Sequence, residues 1–208
     1  MMSEKIEIHP KDPQPRLVLR VAEAILNDKI IAYPTDSGYA LGCRLENKEG
    51  VERIRKIRAL DKYHNFTLFC ADLSELSLYA QVDNSAFRLL KAYTPGPYTF
   101  ILNASKQVPR RLLQPSRKTI GIRIPDHRFC QMLLRELKEP LMSVSLLIPP
   151  ADDAEEPITI DDLYAVIEYK VDFFIDVGNC IMQPTSVVDL TTGIPKIIRI
   201  GQGDVSKM

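Results

Sequence analysis

The chain has 208 residues, 45% of them hydrophobic and 26% charged, with 27 basic residues balancing 27 acidic ones. That length holds one large domain with a substantial core, expected to span residues 1–208. The formal net charge of +0 gives no global attraction to nucleic acid, so any such binding must come from a local patch.

No apolar run approaches the roughly 18 residues of a membrane span, and the polar segment Met1 to Glu7 lacks a signal-peptide core. Cys43, Cys70, Cys130 and Cys180 lie far apart with no Cys-x-x-Cys pair. They read as reduced thiols, and a cytoplasmic location is expected.

In chain order, Asp12-Pro13 reads as an N-cap with proline at the first helical position, ahead of the periodic Leu17, Val21, Ala24 and Ile25. Ile30 to Tyr33 is a short apolar strand, expected to break at Pro34 into a turn rich in hydroxyls, Thr35-Asp-Ser-Gly-Tyr39. Asn47 caps a helix through Val51, Ile54 and Ile57 that ends near Arg58. Phe66 to Cys70 is a buried strand, and Asp72 with Glu75 forms a capping-box pattern. A helix from about Asp83 to Lys91 stops before Pro95-Gly-Pro97, a turn that feeds the strand Tyr98 to Leu102. Thr119 to Ile124 alternates as a strand, Asp126 opens a helix carrying Phe129, Met132, Leu133 and Leu137, and Leu141 to Ser145 is again strand-like. The acidic run from Asp152 reads as a loop, and Thr159 with Asp162 caps a helix to about Tyr169. Val171 to Val177, Thr185 to Leu190 and Lys196 to Ile200 complete the strands. Hairpin-like and crossover connections mix, which predicts an α+β fold: a twisted mixed sheet with helices packed on it.

Several chemistries are absent. There is no Gly-x-x-x-x-Gly-Lys-Ser/Thr loop, no Gly-x-Gly-x-x-Gly and no Gly-x-Ser-x-Gly elbow. His9, His64 and His127 lack zinc-site spacing, so no protein-ligated metal is expected. What remains is a set of polar residues at strand ends: Thr99, Arg123, Ser143, Ser145, Thr185, Ser186 and Arg199. Ligands collect where strand ends splay apart, so these residues are expected to line one groove. Thr35, Asp36, Ser37 and Tyr39 can orient a small polar ligand there, with Lys56 and Arg58 holding an anion beside it. From Lys106 to Arg128 seven cations face Asp126 alone, marking one end of the fold as positive.

Tyr33-Pro-Thr-Asp-Ser-Gly-Tyr-Ala-Leu-Gly42, Lys56-Ile-Arg58, Pro95-Gly-Pro-Tyr-Thr-Phe100, Thr119-Ile-Gly-Ile-Arg-Ile-Pro-Asp126, Thr185-Ser-Val-Val-Asp-Leu190 and Ile198-Arg-Ile-Gly201 together resemble the YrdC-like family. The blocks fall in family order along nearly the whole chain. His64-Asn-Phe-Thr-Leu68 and Val108-Pro-Arg-Arg-Leu-Leu113 bring the likeness nearest to its YciO branch. The resemblance implies a deep, positively lined concave groove on a twisted mixed sheet. It also implies a reaction in which ATP, L-threonine and bicarbonate give threonylcarbamoyl-AMP and pyrophosphate, toward N6-threonylcarbamoyladenosine in tRNA, with Mg²⁺ accompanying ATP. Carried over by position, Lys56, Arg58, Ser145 and Arg199 would contact the nucleotide and its phosphates, while Thr35, Thr99 and Arg123 would seat threonine or its carbamate. Binding of double-stranded RNA or tRNA, described for family members, would draw on Arg110, Arg111 and Lys118. One departure bears on activity: where the family reads Ser-x-Asn, this chain has Ser145-Leu146-Leu147. Losing the amide leaves a polar partner unpaired at a cost of about 1–3 kcal/mol, so weak or altered synthase activity is expected, with His64 and Asn65 as substitute hydrogen-bonding groups.

Overall fold

The computed structural model describes residues 2–61, 64, 66–146, 159–180 and 182–208. Strands β1 (Glu4–Glu7), β2 (Ile31–Thr35), β3 (Gly38–Arg44), β4 (Thr67–Phe69), β5 (Tyr98–Asn103), β6 (Thr119–Arg123), β7 (Leu141–Ser145), β8 (Phe173–Asp176), β9 (Ser186–Asp189) and β10 (Lys196–Arg199) form one sheet, in the order β1-β8-β2-β3-β7-β4-β6-β5-β9-β10. The sheet is mixed, as expected: β1–β8, β2–β8, β4–β6 and β5–β9 pair parallel and the other neighbours antiparallel. Helices α1 (Pro15–Leu26), α2 (Lys48–Ile57), α3 (Leu73–Tyr79), α4 (Asn84–Tyr93), α5 (Arg128–Leu137) and α6 (Ile160–Ile167) pack against it.

Side chains alternate between the two faces of a strand, and that alternation separates two cores. On one face Leu68, Phe100, Ile120, Ile122, Met142, Phe174 and Val188 pack with Val51, Ile54, Leu76, Leu90, Leu163 and Ile167 from α2, α3, α4 and α6. On the other, Ile31, Tyr33, Phe69, Leu141 and Ile175 meet Val18, Val21 and Ile25 of α1 and Phe129, Leu133 and Leu134 of α5. Burying each such side chain contributes about 1.5–3 kcal/mol. The second core draws no residue from β5, β6, β9 or β10. The half of that face beyond β4 is therefore left to another use.

Most caps are where the sequence puts them. Asn47, Asp83 and Asp72 accept from the backbone of Gly50, Ala86 and Glu75, and Thr159 with Asp162 forms a reciprocal capping box. Four expectations change. The chain does not leave the sheet at Pro34: β2 runs on to Thr35 and returns as β3, with Pro34 opposite Tyr39. Strand β8 pairs only with Ile31 and Ala32, so beyond them that edge of β2 needs no donor and proline is tolerated. Helix α1 starts at Pro15 behind Gln14, which makes no side-chain cap; proline fits the first helical position equally well there. Helix α5 is preceded by His127 rather than Asp126, because the Asp126 N–H bonds Asp36 Oδ2 at 3.1 Å. Glu75 completes only half a capping box, since its carboxylate reaches the Ala71 N–H instead of that of Asp72. Strand β1 has no sequence signal beyond the single buried Ile6. The acidic run through Glu156, with Asn65 and Leu147, lies outside the described residues.

Candidate functional site

A cavity of ≈ 480 Å³ opens on the uncovered face, within the range that takes small molecules. Its lining follows the strand period. Thr67 and Phe69 on β4, Gly121 and Arg123 on β6, Thr99 and Ile101 on β5, Ser143 and Ser145 on β7 and Val187 on β9 all face it. Their strand neighbours Leu68, Ile122, Phe100, Met142 and Val188 belong to the opposite core. The β2–β3 turn adds Thr35 and Ser37, the end of α2 adds Arg58, and Thr185, Ile198 and Arg199 close the far side. Asp61 and His64 border the cavity near Arg58.

One wall is a bonded network. Arg123, 5% exposed, donates to Asp36 Oδ1 at 2.5 Å and to Ser37 Oγ at 2.9 Å. Its guanidinium carbon lies 4.9 Å from the centre of the Phe69 ring. Thr35 Oγ1 donates to Gly38 O at 2.6 Å and accepts from the Ser37 N–H at 3.1 Å. Gly38, at φ 113°, opens β3 directly after the turn in a backbone conformation that a residue with a side chain rarely adopts. Asp36 thus holds Arg123 in the wall and balances its charge there.

The remaining cations are fixed differently. Arg58 caps α2 and donates through Nε to Ser145 O at 2.7 Å; burial pushes its guanidinium pKa down. Arg199 donates to Thr185 O through Nε and Nη2 at 3.0 and 2.9 Å, while Thr185 Oγ1 stands 2.8 Å from Thr99 Oγ1. Burial, and after it the Arg58 charge, pushes the His64 imidazole below its ordinary pKa, with Asp61 opposing. His64 therefore sits neutral beside an arginine, with Phe66 edge-on at 5.8 Å.

The cavity gathers Thr35, Arg58, His64, Thr99, Arg123, Ser145 and Arg199 from the sequence-based candidates. It does not gather Lys56, which is exposed on the last turn of α2. Two residues apart on a helix is about 200° of rotation, so Lys56 and Arg58 diverge. Arg110, Arg111 and Lys118 also lie off the lining. Arg110 and Lys118 are exposed, whereas Arg111 donates to Leu45 O and to Glu46 Oε2, the latter at 3.3 Å. Ser186 lies under the groove and donates to Gly203 O. Tyr39 is likewise structural, stacked on Phe174 and bonded to Val177 N. Thr67 and Asp61 join the lining without a sequence signal beyond their polarity. Among the described residues no group of three His, Cys, Asp or Glu side chains is placed to hold a metal ion.

A family model named Sua5/YciO/YrdC, described as telomere recombination, matches residues 23–201. The chain is 51% identical over 205 residues to the uncharacterized protein YciO of Escherichia coli (strain K12), covering 98% of each. The crystal structure of E. coli YciO matches with a TM-score of 0.90 at 50% identity, over 99% of this chain and 98% of that one. A putative threonylcarbamoyl-AMP synthase of Methanocaldococcus jannaschii is 30% identical over 181 residues, 86% of this chain and 82% of the relative. The crystal structure of P. abyssi Sua5 complexed with L-threonine matches with a TM-score of 0.82 over 96% of this chain and 58% of that one. At 24% identity that last likeness is one of fold.

Proposed function

The chain belongs to the Sua5/YciO/YrdC family, and we propose that its groove binds ATP, L-threonine and bicarbonate and forms threonylcarbamoyl-AMP, with weak or altered activity, toward threonylcarbamoyladenosine in tRNA. The observation that carries the reading is the placing of Arg58 at one end of a hydroxyl-lined cavity whose opposite end holds Arg123, Thr99, Thr185 and Arg199. In the first step the threonine amine attacks bicarbonate carbon and water leaves, giving a carbamate. A carbamate oxygen then attacks the α-phosphorus, the bond from that phosphorus to the bridging oxygen breaks, and pyrophosphate departs. Neither step needs a protein nucleophile. Both need the reactants held in line and their negative charge balanced. Thr35, Thr99 and Arg123 seat threonine and the carbamate, and Arg58, Ser145 and Arg199 hold the nucleotide. The described side chains offer no ligand set for Mg²⁺, which would accompany ATP on its phosphates.

The test is pyrophosphate release from ATP, with threonine and bicarbonate omitted in turn, together with thermal protection by ATP. Release that needs both co-substrates, and protection lost in Arg58→Ala, is the expected outcome. ATP protection equal in wild type and Arg58→Ala would refute this use of the groove. A second reading, RNA binding without chemistry, is favoured by one observation. A polar cleft of ≈ 430 Å³ lined by Asn103, Arg117, Thr119, Asp189, Thr191, Thr192 and Lys196 continues the same strand faces past Ile101, Gly121 and Val187. That reading requires affinity for double-stranded RNA that falls steeply with salt and depends on Arg110, Arg117, Lys118 and Lys196.

A further inference from the structure

The polar cleft beside the groove shares no lining residue with it, yet the same strands build both, one register step apart. Gly121 and Ile101 are cross-strand partners in the groove, and Thr119 and Asn103 are the next pair along that face of β6 and β5. Asp189 of β9 pairs with Ile101 on one side and with Lys196 of β10 on the other. Thr119 and Asp189 are only 3% and 8% exposed, so both belong to the floor of the cleft and not to its rim.

The floor is only half satisfied. Asp189 Oδ1 is taken by its own turn, where it accepts the Thr191 N–H at 2.9 Å and the Thr191 hydroxyl at 2.6 Å. Among the described residues Oδ2 accepts no hydrogen bond, and Arg117 Nη1 stands 3.9 Å from it, beyond hydrogen-bond reach. Asn103 spends its Nδ2 on Thr191 O at 3.2 Å, which leaves its amide oxygen as an acceptor. The Thr119 hydroxyl has no partner among the described residues, although its side chain lines the cleft. Buried polar groups are ordinarily paired, so this floor is short of hydrogen-bond donors.

Charge narrows the occupant. One carboxylate, Asp189, faces the two cations Arg117 and Lys196. A bare anion gains the cations but meets Asp189; a bare cation meets the reverse. A ligand that carries an anionic group and a donor side by side satisfies both. No aromatic side chain lines the cleft, so nothing there stacks a nucleobase, and an RNA phosphate is left with the rim cations alone.

We propose that this cleft is a second binding site, for a small carboxylate bearing a hydroxyl or ammonium next to its carboxylate group, and that Asp189 is its specificity-determining residue. Arg117 and Lys196 take the carboxylate, and Asp189 Oδ2 accepts from the neighbouring donor, a charge-assisted bond of the stronger kind. The proposal stands independently of the ATP and threonine reading of the groove.

The experiment is NMR titration of wild type, Asp189→Asn and Thr119→Val with glycolate, glycine, acetate and methylammonium at constant ionic strength, following the amides of Asn103, Thr119, Asp189 and Thr191. In wild type, glycolate or glycine is expected to bind about tenfold or more tightly than acetate, as for a hydrogen bond to a charged group, and methylammonium to bind not at all. The tighter of the first two identifies the donor as hydroxyl or ammonium. Asp189→Asn keeps the oxygen that Thr191 uses but puts an N–H donor in place of Oδ2. It should reverse the order: acetate gains, because the cations lose their opposing charge, and the donor-bearing ligand weakens. Thr119→Val, which keeps the side-chain shape, should weaken that ligand by about threefold. A merely structural Asp189 would lower the melting temperature in Asp189→Asn and leave the order of ligands unchanged, which overturns the proposal. Equal binding of acetate and glycolate by wild type overturns it in favour of a plain anion patch. Shifts at Thr99, Gly121 and Thr185 in place of the cleft amides overturn it by putting the ligand in the groove. Cleft amides that respond to double-stranded RNA and to none of the four small ligands overturn it in favour of RNA, and no response to any ligand overturns it outright.

Discussion

Asp36 and Arg123 place opposite charges 2.5 Å apart at 9% and 5% exposure, and Asp36 also accepts the Asp126 N–H. Removing one partner of a buried pair leaves the other charge uncompensated, which typically costs about 3–5 kcal/mol. Arg123 borders a cavity into which it can partly turn, so Asp36→Ala is expected near the lower end, about 3 kcal/mol, read by urea unfolding. A loss below about 1 kcal/mol, the range of an exposed pair, would mean that the guanidinium is already hydrated. Two histidines set a pH response. Burial pushes His64 and His127 below the ordinary value of 6.5, so the folded state holds them neutral while the unfolded chain takes up protons first. Stability is then complete above about pH 6.5 and falls as pH drops through that value toward the lower folded pKa values. Melting temperature should decline from about pH 7.5 to pH 5.5, and His127→Phe, which removes one titrating ring, should flatten the decline. At this scale the hydroxyls and arginines of the groove were legible because they stand at strand ends. The bond between the buried Tyr33 hydroxyl and Ser143 Oγ, 2.6 Å long, was not, because it depends on β3 lying between β2 and β7, and no local pattern encodes that order.

Helix α2 connects local sequence to the site. Asn47, 7% exposed, accepts from the Gly50 N–H at 2.7 Å and donates to Asp28 O at 2.6 Å, so one side chain both starts the helix and fastens it to the α1–β2 connection. The helix in turn carries Arg58 to the groove. Asn47→Ala should cost about 1–2 kcal/mol and reduce hydrogen-exchange protection at the amides of Gly50 and Val51, while ATP protection weakens less than in Arg58→Ala. Unchanged exchange at Gly50 would show that water replaces the cap without cost. Such caps are local chemistry, which is why Asn47, Asp83 and Thr159 could be read from sequence. The β2–β3 hairpin misleads for an equally local reason. Proline ends most strands, and Pro34 is permitted only because β8 stops pairing at Ala32, a fact of sheet geometry. Strand β1 was hidden because an edge strand with one buried residue has no periodicity to detect.

Among the described residues the sheet has two open edges, β1 and β10, and they are guarded unequally. Strand β1 places Glu4, Lys5 and Glu7 around its single buried Ile6, a charged edge that resists pairing with another sheet. Strand β10 is exposed at all four positions, and Ile194, Ile197, Ile198 and Ile200 are 76%, 41%, 50% and 75% exposed in and around it. Its protection comes from Lys196, from Arg199 at the groove side, and from an irregular register between Ile197 and Arg199 that breaks the ladder a second copy would need. Charge at this edge opposes the apolar drive, since like cations directly opposite each other destabilise a strand pair, and salt screens exposed charges over about 10 Å. Lys196→Thr should therefore raise light scattering and make it grow faster with protein concentration, and added salt should move wild type in the same direction. Ile197→Lys should suppress both trends without lowering the melting temperature, because Ile197 is already partly in water. Scattering that is unaffected by Lys196→Thr would place the protection in the backbone irregularity instead, and the edge charge would then belong to the neighbouring polar cleft rather than to solubility.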